Sequence, residues 1–114
     1  MRTERNSQTP ERDIQNGILV AVSSLPQCMV WRANSGVGVT PQGRPLRCNV
    51  QGCADIIGVY RGRGIGIEVK TPTGRQSETQ RNFQRAWQAA GGLYIVAYSA
   101  EDALRQIRDC TPPC

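Results

Sequence analysis

The sequence predicts an α/β fold, a mixed central sheet flanked by helices in the order α-β-β-β-α-β-α. Three observations predict it. The stretch GIGIEVK, Gly64 to Lys70, alternates Ile65, Ile67 and Val69 with Gly66, Glu68 and Lys70, the period-2 pattern of a strand with one face on a core. Near the N-terminus, Ile14, Ile18, Ala21, Val22 and Leu25 recur at helical spacing. A helical segment after Ser77 then leads through Gly91-Gly92 into LYIVAY, Leu93 to Tyr98. That continuous apolar run has the character of a strand buried on both faces and reached by a crossover.

The 114 residues bound one domain with a modest core, placed at residues 9–109 between a polar leader, 1–8, and a tail, 110–114. Thr9-Pro10 supplies an N-cap and a proline at the first helical position, and Pro26 closes the first helix. CMVWRAN, Cys28 to Asn34, reads as a strand, and the glycine- and proline-rich SGVGVTPQGRP, Ser35 to Pro45, as a loop or irregular hairpin. DIIGVYRGRGIGIEVK reads as a hairpin: Asp55 to Tyr60, a turn at RGRG, then Gly64 to Lys70. Ser77 and Gln80 form an S-x-x-Q capping box, and Gln80, Phe83, Trp87 and Ala90 share one face of the helix that follows. Ser99 caps a last helix through about Ile107, with Leu104 and Ile107 inward.

Composition excludes several classes. No stretch approaches the roughly 20 apolar residues a spanning helix needs, and the charged N-terminus lacks an apolar signal region, so a cytoplasmic protein is expected. The net charge of +5 favours a polyanionic partner, nucleic acid foremost. The five cysteines form no CxxC pair, and there is no histidine. The cysteines read as thiols in a reducing compartment, and the Ser-His and Cys-His nucleophilic schemes are absent. An enzyme built from this chain runs on carboxylates, lysine and a bound metal.

The basic residues are thirteen arginines and one lysine, and that lysine is Lys70. Arginine would serve for surface charge alone; lysine is a compact charge whose pKa moves readily on desolvation. Antiparallel pairing brings Asp55, which opens one hairpin strand, beside Glu68 and Lys70, which close the next. Glu11, at the edge of the first helix's buried face, can add a third carboxylate. Such a cluster suits magnesium or manganese, which polarise a phosphoryl oxygen and acidify bound water. Each residue also has a plainer role: Asp55 as a turn cap, Glu11 as a complement to the helix dipole, Gln80 in its capping box. Trp31, Phe83 and Trp87 are expected in the core. Arg32, Arg61, Arg63, Arg75, Arg81 and Arg85 are solvated surface or, where they border the site, phosphate contacts.

From ERDIQNGIL through NSGVG, G-x-x-D (Gly52 to Asp55) and E-V-K to AAGGLYIVAYSAEDAL, the chain resembles the VRR-NUC branch of the PD-(D/E)xK nuclease superfamily. The resemblance covers nearly the whole chain, with Ala54 in place of the proline in the superfamily's name. It implies a restriction-endonuclease-like sheet, with Asp55, Glu68, Glu11 and the Val69 backbone carbonyl as ligands of Mg2+ or Mn2+. It implies Lys70 as the catalytic lysine and Gln80 as a supporting residue. It further implies a homodimeric, structure-selective endonuclease acting on branched DNA, four-way junctions or flaps, in a bacterial or phage-infected cell. Two other readings stay open: a non-catalytic nucleic-acid-binding module of the same fold, and a subunit active only beside a helicase or other replication partner.

Overall fold

The computed structural model describes residues 10–33, 38–39, 41–43, 45–46 and 51–110. They form α1 (Pro10–Ser23), β1 (Cys28–Arg32), β2 (Gly38–Val39), β3 (Pro45–Leu46), β4 (Ile56–Tyr60), β5 (Arg63–Val69), α2 (Glu78–Ala89), β6 (Leu93–Ala97) and α3 (Ala100–Cys110). The leader, the Thr9 cap, Asn34 to Val37, Cys48 and residues 111–114 lie outside the described residues.

Four strands make a mixed sheet in the order β1-β4-β5-β6. β1, β4 and β5 are antiparallel neighbours, and β6 runs parallel to β5 after the α2 crossover. This is the α/β class the sequence predicts. The segment read as a loop or irregular hairpin holds a separate two-stranded ribbon, β2 with β3. Arg61 and Gly62 turn β4 into β5 with φ of 53° and 82°, both left-handed. That geometry matches the twist of a two-residue hairpin.

Period 2 sorts the sheet into two unlike faces. Ile56 of β4, Ile65, Ile67 and Val69 of β5, and Leu93, Ile95 and Ala97 of β6 pack on Ile18 and Val22 of α1 and Ala103 and Ile107 of α3. Each fully buried isoleucine contributes roughly 2 kcal/mol of apolar burial, so this face carries most of the fold's stability. On the other face α2 sits on the β5–β6 half. Trp87 stacks on Phe83, with ring centroids 5.4 Å apart, and Phe83 meets Tyr94 at 6.2 Å.

Some expectations fail. Trp31 is not core: it is 47% exposed, beside Met29 at 70% and Val59 at 47%. The reason is that α2 packs on β6 and brings Trp87 over Gly64 and Gly66 of β5, while Met29, Trp31 and Val59 on the outer side of β1 and β4 stay exposed. LYIVAY is shorter as a strand than its apolar run. Tyr98 leaves β6, is 48% exposed, and donates its N–H to Asp102 Oδ2. Asp102 N in turn donates to Ser99 Oγ, and α3 continues to Cys110, one residue into the segment read as tail. α1 stops at Ser23, before Pro26, where Ser23 and Ser24 hydroxyls satisfy the Leu19 and Val20 carbonyls. Among the described residues no helix is long and apolar enough to cross a membrane.

Candidate active site

The hairpin register pairs Ile56 with Ile67, so Asp55 and Glu68 come level one step further on. Two backbone hydrogen bonds and one from backbone to side chain hold that end of the sheet. Ala33 N donates to Asp55 O at 2.9 Å, Lys70 N donates to Ala97 O at 3.0 Å, and Val69 N donates to Asp55 Oδ2 at 2.8 Å. The loop before Asp55 is pressed against α2. Gly52 has φ of +78°, and a Cβ there would lie 2.2 Å from Thr79 O. Only glycine fits that left-handed, close approach.

Glu68 is wholly buried on the outer face. Its Oε1 accepts from the Tyr94 hydroxyl at 2.7 Å and from Gln76 Nε2 at 2.9 Å. Its Oε2 accepts no hydrogen bond among the described residues and faces the Lys70 ammonium at 3.3 Å. Lys70 Nζ donates to Arg75 O at 3.0 Å and to Gln80 Oε1 at 3.2 Å. A compact ammonium can donate to Arg75 O and Gln80 Oε1 while its charge still faces Glu68 Oε2, a convergence on one atom that a planar guanidinium does not offer.

Gln80 has two roles at once. Its Oε1 accepts from Ser77 N at 2.8 Å while Ser77 Oγ accepts from Gln80 N at 3.2 Å, completing the capping box. The same oxygen holds Lys70, so the start of α2 and the lysine are mechanically joined. The space beside Gly66 is not open: a Cβ there would touch Ala54, Tyr94 and Trp87 at 3.4–3.5 Å.

The charges are strained against each other. Burial pushes the Asp55 carboxyl above its ordinary value, and the carboxylates of Glu11 and Glu68 push it further. The Val69 N–H and the Lys70 ammonium oppose this without cancelling it. Burial also raises the Tyr94 hydroxyl, reinforced by its hydrogen bond to Glu68 and the nearby Glu68 and Asp55 charges, so it stays a donor. A buried carboxylate oxygen with no hydrogen bond, beside a second crowded carboxylate, is the donor chemistry that a hard divalent cation takes.

Asp55, Glu68, Lys70 and Gln80 therefore meet at one end of the sheet. Glu11 stands apart: it is exposed in the first turn of α1 and acts on Asp55 through its charge. Among the described residues no three or more of His, Cys, Asp and Glu gather closely enough to hold a metal by themselves. Arg61 and Arg63 do not border this site. They lie at the turn of the hairpin, a strand length from Asp55, where Arg61 Nε bonds Gln27 Oε1 and Arg63 Nε bonds Gly91 O. Arg75 and Arg81 flank the site through the loop and first turn of α2. A shallow cleft of about 280 Å³ between Gly62–Gly64 and Ala90–Gly92, floored by Trp87, also lies at the turn end and includes none of the four site residues.

Sequence reasoning missed Tyr94, Gln76 and Gln84. Gln76 Nε2 bridges Glu68 Oε1 and Gln84 Oε1, at 2.9 and 2.8 Å, tying α2 to the buried carboxylate. The available signal was a tyrosine inside an otherwise aliphatic strand, since a buried hydroxyl needs a partner. No protein-family model matches the chain, and no curated protein matches it significantly.

Proposed function

We propose that this chain is a metal-dependent endodeoxyribonuclease of the VRR-NUC type, hydrolysing phosphodiester bonds in branched DNA such as four-way junctions or flaps. The observation that carries the reading is the wholly buried Glu68, paired with the chain's one lysine and set beside Asp55 at a single hairpin end. That arrangement is costly for a fold and useful for phosphoryl transfer. In this reading the sheet is restriction-endonuclease-like, and the chain works as a homodimer in replication, repair or recombination.

Glu68 through Oε2, Asp55 and the Val69 backbone carbonyl would hold Mg2+ or Mn2+, with Glu11 near enough to act by charge and water and phosphate oxygens completing the shell. The ion, when bound, polarises the scissile phosphate and acidifies a bound water. Lys70 is held by Arg75 O and Gln80 Oε1 independently of Glu68, so with Glu68 serving as a ligand its ammonium would stay in place to orient the nucleophile and meet developing negative charge. Arg75 and Arg81 supply phosphate contacts that position the strand without reading its sequence.

One observation favours a second reading, a non-catalytic or partner-dependent nucleic-acid-binding module. The described residues contain no complete three-carboxylate cluster. Labelled four-way-junction, flap and linear duplex DNA incubated with purified protein and Mn2+ separates the two. Cutting of the branched substrates is expected. Salt-sensitive binding without cutting of any substrate overturns the nuclease reading for the isolated chain, and cutting restored by a co-expressed helicase moves it to the partner-dependent form.

A further inference from the structure

We infer that Tyr94 and Gln76 are positioning residues that make Glu68 a one-oxygen ligand, and that they thereby set which divalent ion the site prefers. The inference rests on the metal-site part of the proposed function and adds a determinant of ion selectivity to it. Its basis is the unequal treatment of the two carboxylate oxygens. Oε1 carries two hydrogen bonds, from the Tyr94 hydroxyl at 2.7 Å and Gln76 Nε2 at 2.9 Å, while Oε2 carries none among the described residues. A carboxylate with both donors on one oxygen presents only the other.

Both donors are themselves held. The Tyr94 ring packs against Phe83 at 6.2 Å and stands on β6, whose parallel register to β5 pairs Tyr94 with Gly66, two residues before Glu68. Gln76 Nε2 also donates to Gln84 Oε1 at 2.8 Å. The Glu68 carboxylate can only accept, so the Gln76 amide has one workable orientation, with Nε2 toward Oε1. Rotating Glu68 to offer both oxygens would break one buried and one half-buried hydrogen bond and move the oxygen that faces Lys70.

The consequence is chemical selectivity. Mg2+ demands near-octahedral geometry with short bonds to single carboxylate oxygens, whereas Ca2+ accepts six to eight oxygens and takes carboxylates in bidentate fashion. A Glu68 restricted to Oε2 suits the first ion and withholds a contact the second would use. Outer partners of a ligand typically change metal affinity about 10- to 100-fold when removed.

The test is calorimetric titration of Mg2+ and, separately, Ca2+ into wild type, Tyr94→Phe and Gln76→Leu, with the thermal midpoint of each metal-free protein as a fold control. Phenylalanine keeps the ring against Phe83 and removes only the hydroxyl. Gln76→Leu removes the second donor from a half-buried site, so the two variants do not share a route to misfolding. The expected result is that the Mg2+-to-Ca2+ preference falls by about tenfold or more in each variant. A purely structural role would lower the thermal midpoint and leave the ratio alone. Wild type that discriminates between the ions, with variants that discriminate equally, overturns this inference and leaves the nuclease reading standing. Wild type that binds neither ion overturns the metal site of the proposed function, and the inference with it.

Discussion

Replacing Lys70 with methionine removes the ammonium that faces Glu68 while keeping a stem of similar length and apolar bulk. Glu68 is fully buried, with Oε2 3.3 Å from Nζ, and Lys70 is only 13% exposed, so solvent screens the pair weakly. Removing one partner of a buried ion pair costs about 3–5 kcal/mol. Tyr94 and Gln76 would still bond Oε1, which places the loss near the lower figure, about 3 kcal/mol. For a domain of this size each kcal/mol shifts the thermal midpoint by roughly 4 °C, so a fall on the order of 12 °C is expected in metal-free buffer. Urea denaturation of wild type, Lys70→Met, Glu68→Gln and the double variant closes a cycle. The neutral glutamine should rescue the methionine variant by about 2 kcal/mol, because the orphaned charge is gone. A Lys70→Met loss below about 1 kcal/mol, with no rescue by Glu68→Gln, would refute the charge-compensation reasoning.

Three other outcomes follow from the same contacts. Gly52→Ala combines a left-handed φ with a Cβ 2.2 Å from Thr79 O, and urea denaturation should show a loss of about 2 kcal/mol or more. Trp87→Ala, which strips the outer layer from Gly64, Gly66 and Gly92, should cost about 3–5 kcal/mol, whereas Trp31→Ala should cost less than about 1 kcal/mol because its ring is half exposed; similar losses would contradict the assigned faces. Asp55 has a raised folded pKa, so the folded chain binds that proton more tightly than the unfolded chain does. Its contribution is present at low pH and lost as pH rises from the ordinary carboxylate value through the raised one. Asp55→Asn should therefore raise the metal-free thermal midpoint at neutral pH and flatten its dependence across that acidic window. An unchanged profile in a series of thermal melts would contradict the crowding of Asp55 by burial, Glu11 and Glu68.

The hairpin was legible because alternation at Ile65, Ile67 and Val69 dictates the inner face, and antiparallel pairing then dictates that Asp55 meets Glu68. The start of α2 was legible for a similarly local reason, since Ser77 and Gln80 carry a capping box in four residues. What touches Glu68 was not. Tyr94 reaches it only through the parallel register that pairs Glu68 with Val96, a relation between segments separated by a whole helix. The exposure of Trp31 was hidden because it depends on where α2 settles, not on the β1 sequence. The place of Arg61 and Arg63 was legible in the hairpin pairing: a hairpin that joins Asp55 to Lys70 at one end must carry its turn residues at the other.

The most direct measurement is cleavage of a labelled four-way junction in Mn2+ by wild type, Lys70→Ala and Glu68→Gln, with junction binding measured in parallel in Ca2+. Cutting by wild type that is lost in both variants while their binding persists is the predicted result. It would locate the chemistry at the buried glutamate and its lysine. Cutting that survives both substitutions, or wild type that binds the junction and never cuts it, would contradict the assignment of this hairpin end as a nuclease centre.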